Sequence, residues 1–151
     1  MTDIVSPEQR KINMQHIKGK NTGPEVYLRK QLFHRGFRFR IHVKDIPGHP
    51  DIWLKKYNTV ILVHGCFWHR HEGCKYAYTP KTREKFWLDK FEHNIERDIR
   101  VKRELERRNI KHIIVWECTI RKMKKSEEVN QDVLDAIECF LYSTDQVGFE
   151  I

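Results

Sequence analysis

The sequence predicts a single α/β domain, a sheet flanked by helices with one loop held by a metal, and three observations carry that expectation. Apolar residues recur with helical period in some stretches and with period two, or as short unbroken runs, in others; this alternation builds an α/β layer. The 151 residues suffice for one real core and not comfortably for two. The stretch His64-Gly65-Cys66-Phe67-Trp68-His69-Arg70-His71-Glu72-Gly73-Cys74 concentrates imidazoles and thiols that would each need a partner if buried. It therefore reads as a site and not as a core strand.

Residues 1–20 open the chain as an arm. Ser6-Pro7 begins a polar segment whose apolar residues are Ile12, Met14 and Ile17. These are too few to bury a helix unaided, so the segment is expected to dock on something else. Thr22-Gly23-Pro24-Glu25 then marks a helix start, with Thr22 as N-cap and Glu25 completing a capping box. This helix is expected to reach residue 35 with Val26, Leu28, Leu32 and Phe33 inward, and to end at Gly36.

From Phe37 the period becomes two. Phe37, Phe39, Ile41 and Val43 alternate with Arg38, Arg40, His42 and Lys44, the pattern of a strand with one wet, basic face, which Pro47-Gly48 breaks. Asp51-Ile52-Trp53-Leu54 starts a second strand, Lys55-Lys56-Tyr57-Asn58 is its turn, and Thr59-Val60-Ile61-Leu62-Val63 is a third strand, apolar enough to be central. That central strand delivers His64 to the edge of the sheet.

After the His/Cys stretch, Thr79-Pro80 is placed to cap a long helix over 79–108 with Trp87, Leu88, Phe91, Ile95, Ile99 and Leu105 on one stripe. His112-Ile113-Ile114-Val115-Trp116 is a fourth strand, ending at Glu117-Cys118. A last helix over 129–141 packs with Val133, Leu134, Ile137 and Phe140, and Cys139 is expected in its core. The tail over 143–151 shows no periodicity.

All 29 basic residues lie at or before Lys125, whereas seven acids and no Lys or Arg follow it. The first 125 residues thus set 29 basic against 14 acidic residues, a net +15. Such a field suits a polyanion such as nucleic acid, the plainer alternative being a solvated basic surface. No stretch approaches the roughly eighteen apolar residues of a membrane span, and no signal peptide opens the chain. The protein is expected to be soluble and cytoplasmic.

In such a compartment clustered cysteines read as metal ligands. Cys66, His71 and Cys74 sit close enough for one loop to present three ligands, and Cys118, at a strand end, supplies a fourth. Three thiolates and an imidazole make a closed tetrahedron, the composition of a structural zinc site; the alternative is buried free cysteines near a surface histidine. For catalysis, Asp51 and Val63 lie at the start and end of paired hairpin strands, where the carboxylate and the Val63 carbonyl offer oxygens to Mg²⁺. His69 is the natural general acid or base and His64 a phosphate or water partner. Two readings stand for Glu25: the capping box explains it fully, and a carboxylate pointing at the sheet also suits orientation of His69.

With these residues in view, the chain closely resembles the very short patch repair (Vsr) endonucleases. The matching pieces are Asn13-Met14, Glu25, Pro47-Gly48-His49-Pro50-Asp51, His64-Gly65-Cys66-Phe67-Trp68-His69, Phe86-Trp87-Leu88, Glu96-Arg97-Asp98 and Val115-Trp116-Glu117-Cys118. The resemblance implies a restriction-endonuclease-like fold with a central mixed sheet. It implies a monomeric, Mg²⁺-dependent nickase that cuts 5′ to the T of a T·G mismatch left by deaminated 5-methylcytosine, and so a functional link to a cytosine-5 DNA methyltransferase and work at the nucleoid.

By the same resemblance Asp51 and Val63 hold Mg²⁺, His69 acts in acid/base catalysis supported by Glu25, and His64 and Asp98 are active-site partners. Phe67, Trp68 and Trp87 form an aromatic wedge, with Met14 and Ile17 of the arm approaching from the opposite groove. The spacing from His71 to Cys74 is one residue longer than the family's, and Val63 stands where a threonine is familiar. Without the resemblance, Trp87 belongs to a helix core stripe and Phe67 packs under the metal loop. Two other functions fit the residues: a restriction-like enzyme cutting both strands, and a non-catalytic zinc-stabilised DNA-binding module.

Overall fold

A computed structural model describes residues 21–151. The arm, including Met14 and Ile17, lies outside the described residues. Helix α1 (Gly23–His34) leads through β1 (Arg40–Ile41) to a hairpin of β2 (Ile52–Leu54) and β3 (Thr59–His64) joined by a 3-10 turn, Lys55–Tyr57. Helix α2 (Glu84–Arg107) crosses to β4 (Lys111–Trp116), and α3 (Glu117–Lys125) and α4 (Glu127–Tyr142) cross to β5 (Gly148–Glu150). The described strands form one mixed sheet in the order β1-β2-β3-β4-β5, with β1, β2 and β3 antiparallel and β3, β4 and β5 parallel. The expected central position of β3 therefore holds.

Period two in β3 and β4 divides the core. Ile61, Ile113 and Val115 face one side with Leu28 and Leu32 of α1, Ile120 and Met123 of α3, and Val133, Leu134, Ile137 and Phe140 of α4. Val60, Leu62, Ile114 and Trp116 face the other, against Leu105 of α2 and Cys66 of the metal loop. Burying aliphatic side chains of this size contributes roughly 1.5–3 kcal/mol each, which holds the helices to both faces. His64 and Trp116, register partners at the ends of β3 and β4, emerge together on the α2 side.

Several expectations need correction. The strand over 37–44 shrinks to Arg40–Ile41, because the chain turns at His42, whose φ is +52°. Phe37 is buried as its alternation required, but Ile41 is exposed. Phe33 also points to solvent and carries the Arg38 guanidinium 4.1 Å above its ring. Helix α2 begins at Glu84 and not at Thr79-Pro80, since the Thr79 hydroxyl accepts a hydrogen bond from Arg70 instead of capping, and Arg83 is left-handed. On α2, Trp87, Phe91 and Leu105 are buried, whereas Leu88, Ile95 and Ile99 are exposed. Ile95 and Ile99, midway along this helix of 24 residues, line a cavity beside His64 and His69 instead of a core.

Cys139 is exposed and not in the core. Helix α3 was not anticipated, having only Ile120 and Met123 to bury. Helix α4 starts two residues earlier than expected, capped by the Ser126 hydroxyl. The tail contributes β5, where Phe149 stacks on Phe140 at 5.6 Å. Only glycine fits at 148: a Cβ there would stand 2.6 Å from the His112 ring.

Candidate active site and metal centre

The hairpin brings Asp51 to Val63 as its register requires. The Val63 N–H donates to Asp51 Oδ2 at 2.7 Å. In an extended residue N–H and C=O point to the same edge, so the Val63 carbonyl also faces this side. Continuing the register of Ile52 with Ile61 sets Pro50 opposite Val63, and proline has no N–H to give. The carbonyl therefore has no ladder donor and remains an oxygen for other use.

Glu25, buried in the first turn of α1, joins Asp51 from beneath. The Thr22 hydroxyl accepts the Glu25 N–H at 3.4 Å, as a cap should, while Glu25 Oε2 accepts the N–H of Asn21 at 2.9 Å. The return bond of the capping box thus goes to the residue before the cap. Glu25 also hydrogen-bonds Asp51. Burial first, then the charge and hydrogen bond of Glu25, push the Asp51 carboxyl up to about 7, against the Val63 N–H and the His69 charge. Two touching carboxyls in a shielded cleft do not both ionise unless a cation joins them. Two carboxylates and a free carbonyl are the hard-oxygen donors that suit Mg²⁺, so the residues present fit that ion.

Across the cleft, Asp98 of α2 accepts from His69 Nδ1 at 2.7 Å. This bond places the Nδ1 proton toward the carboxylate and leaves Nε2 as the free nitrogen. The His64 ring stacks on His69 at 3.8 Å with 7° between planes, and meets Trp116 edge-on. Burial, with the charges of His69 and Lys102, pulls His64 down to about 3 against the pull of Asp98. It is a neutral imidazole at physiological pH. Glu25, Asp51, Val63, His64, His69 and Asp98 thus converge on one cleft of about 520 Å³.

Three residues without an assigned role in the sequence reading line the same cleft: His49, Arg97 and Lys102. His49 has φ +44° and is exposed, aimed by the Pro47-Gly48 turn. Gly48 is packed so closely that a Cβ would fall 2.6 Å from Val101. Arg97 stood in the sequence only as a neighbour of Asp98 and Lys102 only as part of the charge on α2; the helix docking brings both to the cleft.

Behind Trp116 lies the second centre. The ligand atoms of Cys66, His71, Cys74 and Cys118 all lie within 4.8 Å of one another, and Cys118 Sγ is 3.4 Å from His71 Nδ1. A tetrahedron with bonds near 2.3 Å has edges of about 3.8 Å, so the four atoms need little movement to enclose one ion. Burial and the Cys118 thiol push Cys66 up to about 12, although the Cys118 backbone N–H favours its thiolate. Several thiolates therefore do not coexist here without a cation, and the soft donor set fits zinc. His71 lies flat on Trp116 at 4.1 Å, and Trp116 Nε1 donates to Glu150 at 2.6 Å. The same indole thus touches a metal-loop histidine on one side and a cleft histidine on the other.

The aromatic residues form a third group, in which the loop that carries His69 meets α2. Phe67 contacts Trp68, Trp87 and Phe91 with centroids 5.1–5.6 Å apart. Phe67 and Trp68 are half-buried, while Trp87 is only 6% exposed. Asn94 Nδ2 donates to the Trp68 carbonyl at 3.0 Å. Arg70 ties this loop down: it donates to the carbonyls of Ala77 and Tyr78 and lies 3.9 Å over the Phe91 ring.

Residues 2–75 match the family model described as DNA mismatch endonuclease Vsr. The chain is 47% identical over 121 residues to the type II nicking enzyme V.NmeAIP of Neisseria meningitidis, covering 80% of this chain and 86% of the relative. It is 42% identical over 135 residues to the type II nicking enzyme V.XorIIP of Xanthomonas oryzae, 89% of this chain and 98% of that one. To the DNA mismatch endonuclease Vsr of Escherichia coli it is 38% identical over 125 residues, 83% of this chain and 80% of the relative.

Proposed function

The chain belongs to the Vsr family of DNA mismatch endonucleases, and on that premise we propose that it is a Mg²⁺-dependent nickase. It cuts one strand of a duplex 5′ to the T of a T·G mismatch left by deamination of 5-methylcytosine, and so initiates very short patch repair. The observation that carries this reading is the face-to-face placement of an Asp51–Glu25 carboxyl pair and an Asp98-bound His69 in one cleft.

Asp51 and the Val63 carbonyl would hold Mg²⁺, with Glu25 beside Asp51. When bound, the ion supplies positive charge against the scissile phosphate. His69 Nε2 takes a proton from the attacking water while Asp98 holds the ring and offsets its acquired charge. His64, neutral and stacked on His69, steadies that ring and offers a hydrogen bond to the phosphate. Cys66, His71, Cys74 and Cys118 would hold zinc, which would tie down the loop that carries His69 and supply no open position for chemistry.

Phe67 and Trp68, backed by Trp87, are the wedge that unstacks the mismatched step, which a wobble pair concedes more readily than an intact pair. Met14 and Ile17 of the arm, together with residues 1–20 as a DNA-contacting segment, complete the grip. The net charge of +8 supports binding to the phosphate backbone. The mixed sheet with helices on both faces supports a restriction-endonuclease-like fold. The enzyme acts as a monomer in the cytoplasm, at the nucleoid, on mismatches from a cytosine-5 methyltransferase; among the described residues no helix is long and apolar enough to cross a membrane.

The test is single-turnover cleavage of labelled duplexes holding T·G, T·A or C·G at one position, with and without Mg²⁺ and with Asp51→Ala. A nick 5′ of the mismatched T, absent in the variant, supports the proposal. Cutting of both strands of matched duplexes would reassign the protein to double-strand cleavage, and binding without cutting to a DNA-binding module.

A further inference from the structure

We propose that Lys102 is an additional catalytic residue, its ammonium contacting a non-bridging oxygen of the phosphate that is cut. The inference rests on the nuclease reading above and concerns the same cleft.

The helix geometry selects this lysine from the three on α2. Side chains four apart share a helix face, and Asn94, Asp98 and Lys102 recur at that spacing. Asn94 holds the Trp68 carbonyl at 3.0 Å and Asp98 holds His69 at 2.7 Å. The next residue along this row is directed at the same corner of loop and sheet. Accordingly Lys102 lines the main cleft and also a smaller adjoining cavity of about 220 Å³ that contains Arg70, Ile99 and Trp116. The two cavities share His64, His69, Asp98, Ile114 and Lys102, so the lysine stands where they meet.

Its partners distinguish it further. Other basic side chains near the cores are committed: Arg70 and Lys111 to backbone carbonyls, Arg35 to Asp135 and Glu138, and Arg121 to Glu117. Lys102 is half-buried, and among the described residues no carboxylate or carbonyl is hydrogen-bonded or ion-paired to its ammonium. With no such partner among the described residues, its charge is available to an incoming anion. Its field already reaches His64, the ring stacked on His69. Arg97, the other cation of the cleft, is exposed and bonded to Asn94 at 3.2 Å.

The charges then divide about the reacting phosphate. Asp51 and the Val63 carbonyl would hold a cation on the sheet side of the cleft, and Lys102 supplies positive charge from α2, beside His64. As water adds to phosphorus its proton passes to His69 Nε2, the bond from phosphorus to the leaving oxygen breaks, and that oxygen takes a proton from solvent. Lys102 neither gives nor takes a proton. It offsets the charge on the non-bridging oxygen, which an ammonium on a flexible stem does as a point charge.

The experiment compares wild type with Lys102→Met, Lys102→Gln and Lys102→Arg in single-turnover nicking of a T·G duplex. The scissile linkage is an ordinary phosphate or either phosphorothioate diastereomer. Lys102→Met and Lys102→Gln are expected to slow the chemical step by roughly tenfold to hundredfold, with DNA dissociation constants within about threefold of wild type and Lys102→Arg partly active. Sulfur at the oxygen that Lys102 contacts should slow wild type, and that slowing should shrink in both neutral variants, while the effect of sulfur at the other oxygen stays the same. Gln keeps polarity and most of the length, so it serves if Met lowers the melting temperature. Wild-type rates in both variants, or sulfur effects at both oxygens that are unchanged in them, would overturn the proposal. Should wild type cut another duplex but not T·G, the mismatch reading fails while the Lys102 comparison proceeds on the duplex that is cut; if no duplex is cut, both fall.

Discussion

His69 Nδ1 and Asp98 Oδ2 lie 2.7 Å apart although 29 residues separate them in the chain. A single ring contact of this kind fixes which nitrogen carries the proton and which faces the cleft. His69→Ala is expected to slow single-turnover nicking by roughly 10²–10⁴-fold, and Asp98→Asn by roughly 10–100-fold, with DNA affinity retained in both. Quenched-flow or manual-quench assays at saturating enzyme measure this; full activity in His69→Ala would remove it from the mechanism.

Asp51 carries a linkage with a definite sign. Its folded carboxyl titrates at about 7, above the roughly 3.9 of an unfolded aspartate. Between these values the native state binds more protons than the unfolded chain, so stability of the metal-free protein falls as pH rises from about 4 to 7. Asp51→Asn keeps an oxygen for the Val63 N–H and removes the ionisation. It should therefore stabilise the protein in chelator at pH 8, by about 1–3 kcal/mol, while abolishing nicking. Thermal melts across pH with and without Mg²⁺ decide this, and an unchanged pH slope in the variant would count against the buried pair.

One zinc per chain is expected from elemental analysis of the purified protein. Cys118→Ser should lose that ion and with it several of the roughly 10–16 kcal/mol that a structural zinc contributes to a folded site. Cys139→Ser, at an exposed position outside the cluster, should keep both. Equal zinc content in wild type and Cys118→Ser would dismiss the four-ligand assignment.

Trp68 and Trp87, whose rings lie 5.8 Å apart, should separate by function. Trp68 is half-buried and Trp87 almost fully buried against Phe67 and Phe91. Trp68→Ala is expected to reduce discrimination of T·G over T·A with little loss of stability, whereas Trp87→Ala should cost about 3–5 kcal/mol of folding free energy. Competition nicking and denaturant melts measure the two effects; discrimination equal to wild type in Trp68→Ala would end its role as a mismatch wedge.

Much of the architecture was legible because it is local. Thr22 is a cap, Leu28 and Leu32 are buried, the hairpin turns at Lys55–Tyr57, and Val133, Leu134, Ile137 and Phe140 seat the last helix. The misreadings are also physical. Leu88, Ile95 and Ile99 have the spacing of an inward face, but Ile95 and Ile99 line the smaller cavity beside the cleft; Phe33 of α1 has it too, but lies under the Arg38 guanidinium instead. Helix α3 and strand β5 have too few apolar residues to announce themselves. They form because Ile120, Met123 and Phe149 find cores already built by other elements.

The sequence by itself determined the alternation of helices and strands, the Asp51–Val63 hairpin corner and the identities of the clustered thiols and imidazoles. These follow from backbone periods and short spacings, in which each residue constrains neighbours a few positions away. Only the tertiary structure decided that Asp98 and not Glu25 holds Nδ1 of His69, that Glu25 meets Asp51, that Trp116 joins the two centres, and that Lys102 reaches the cleft. Those pairings depend on where α1 and α2 dock on the sheet, and that placement is set by how the summed apolar surfaces of distant elements fit together.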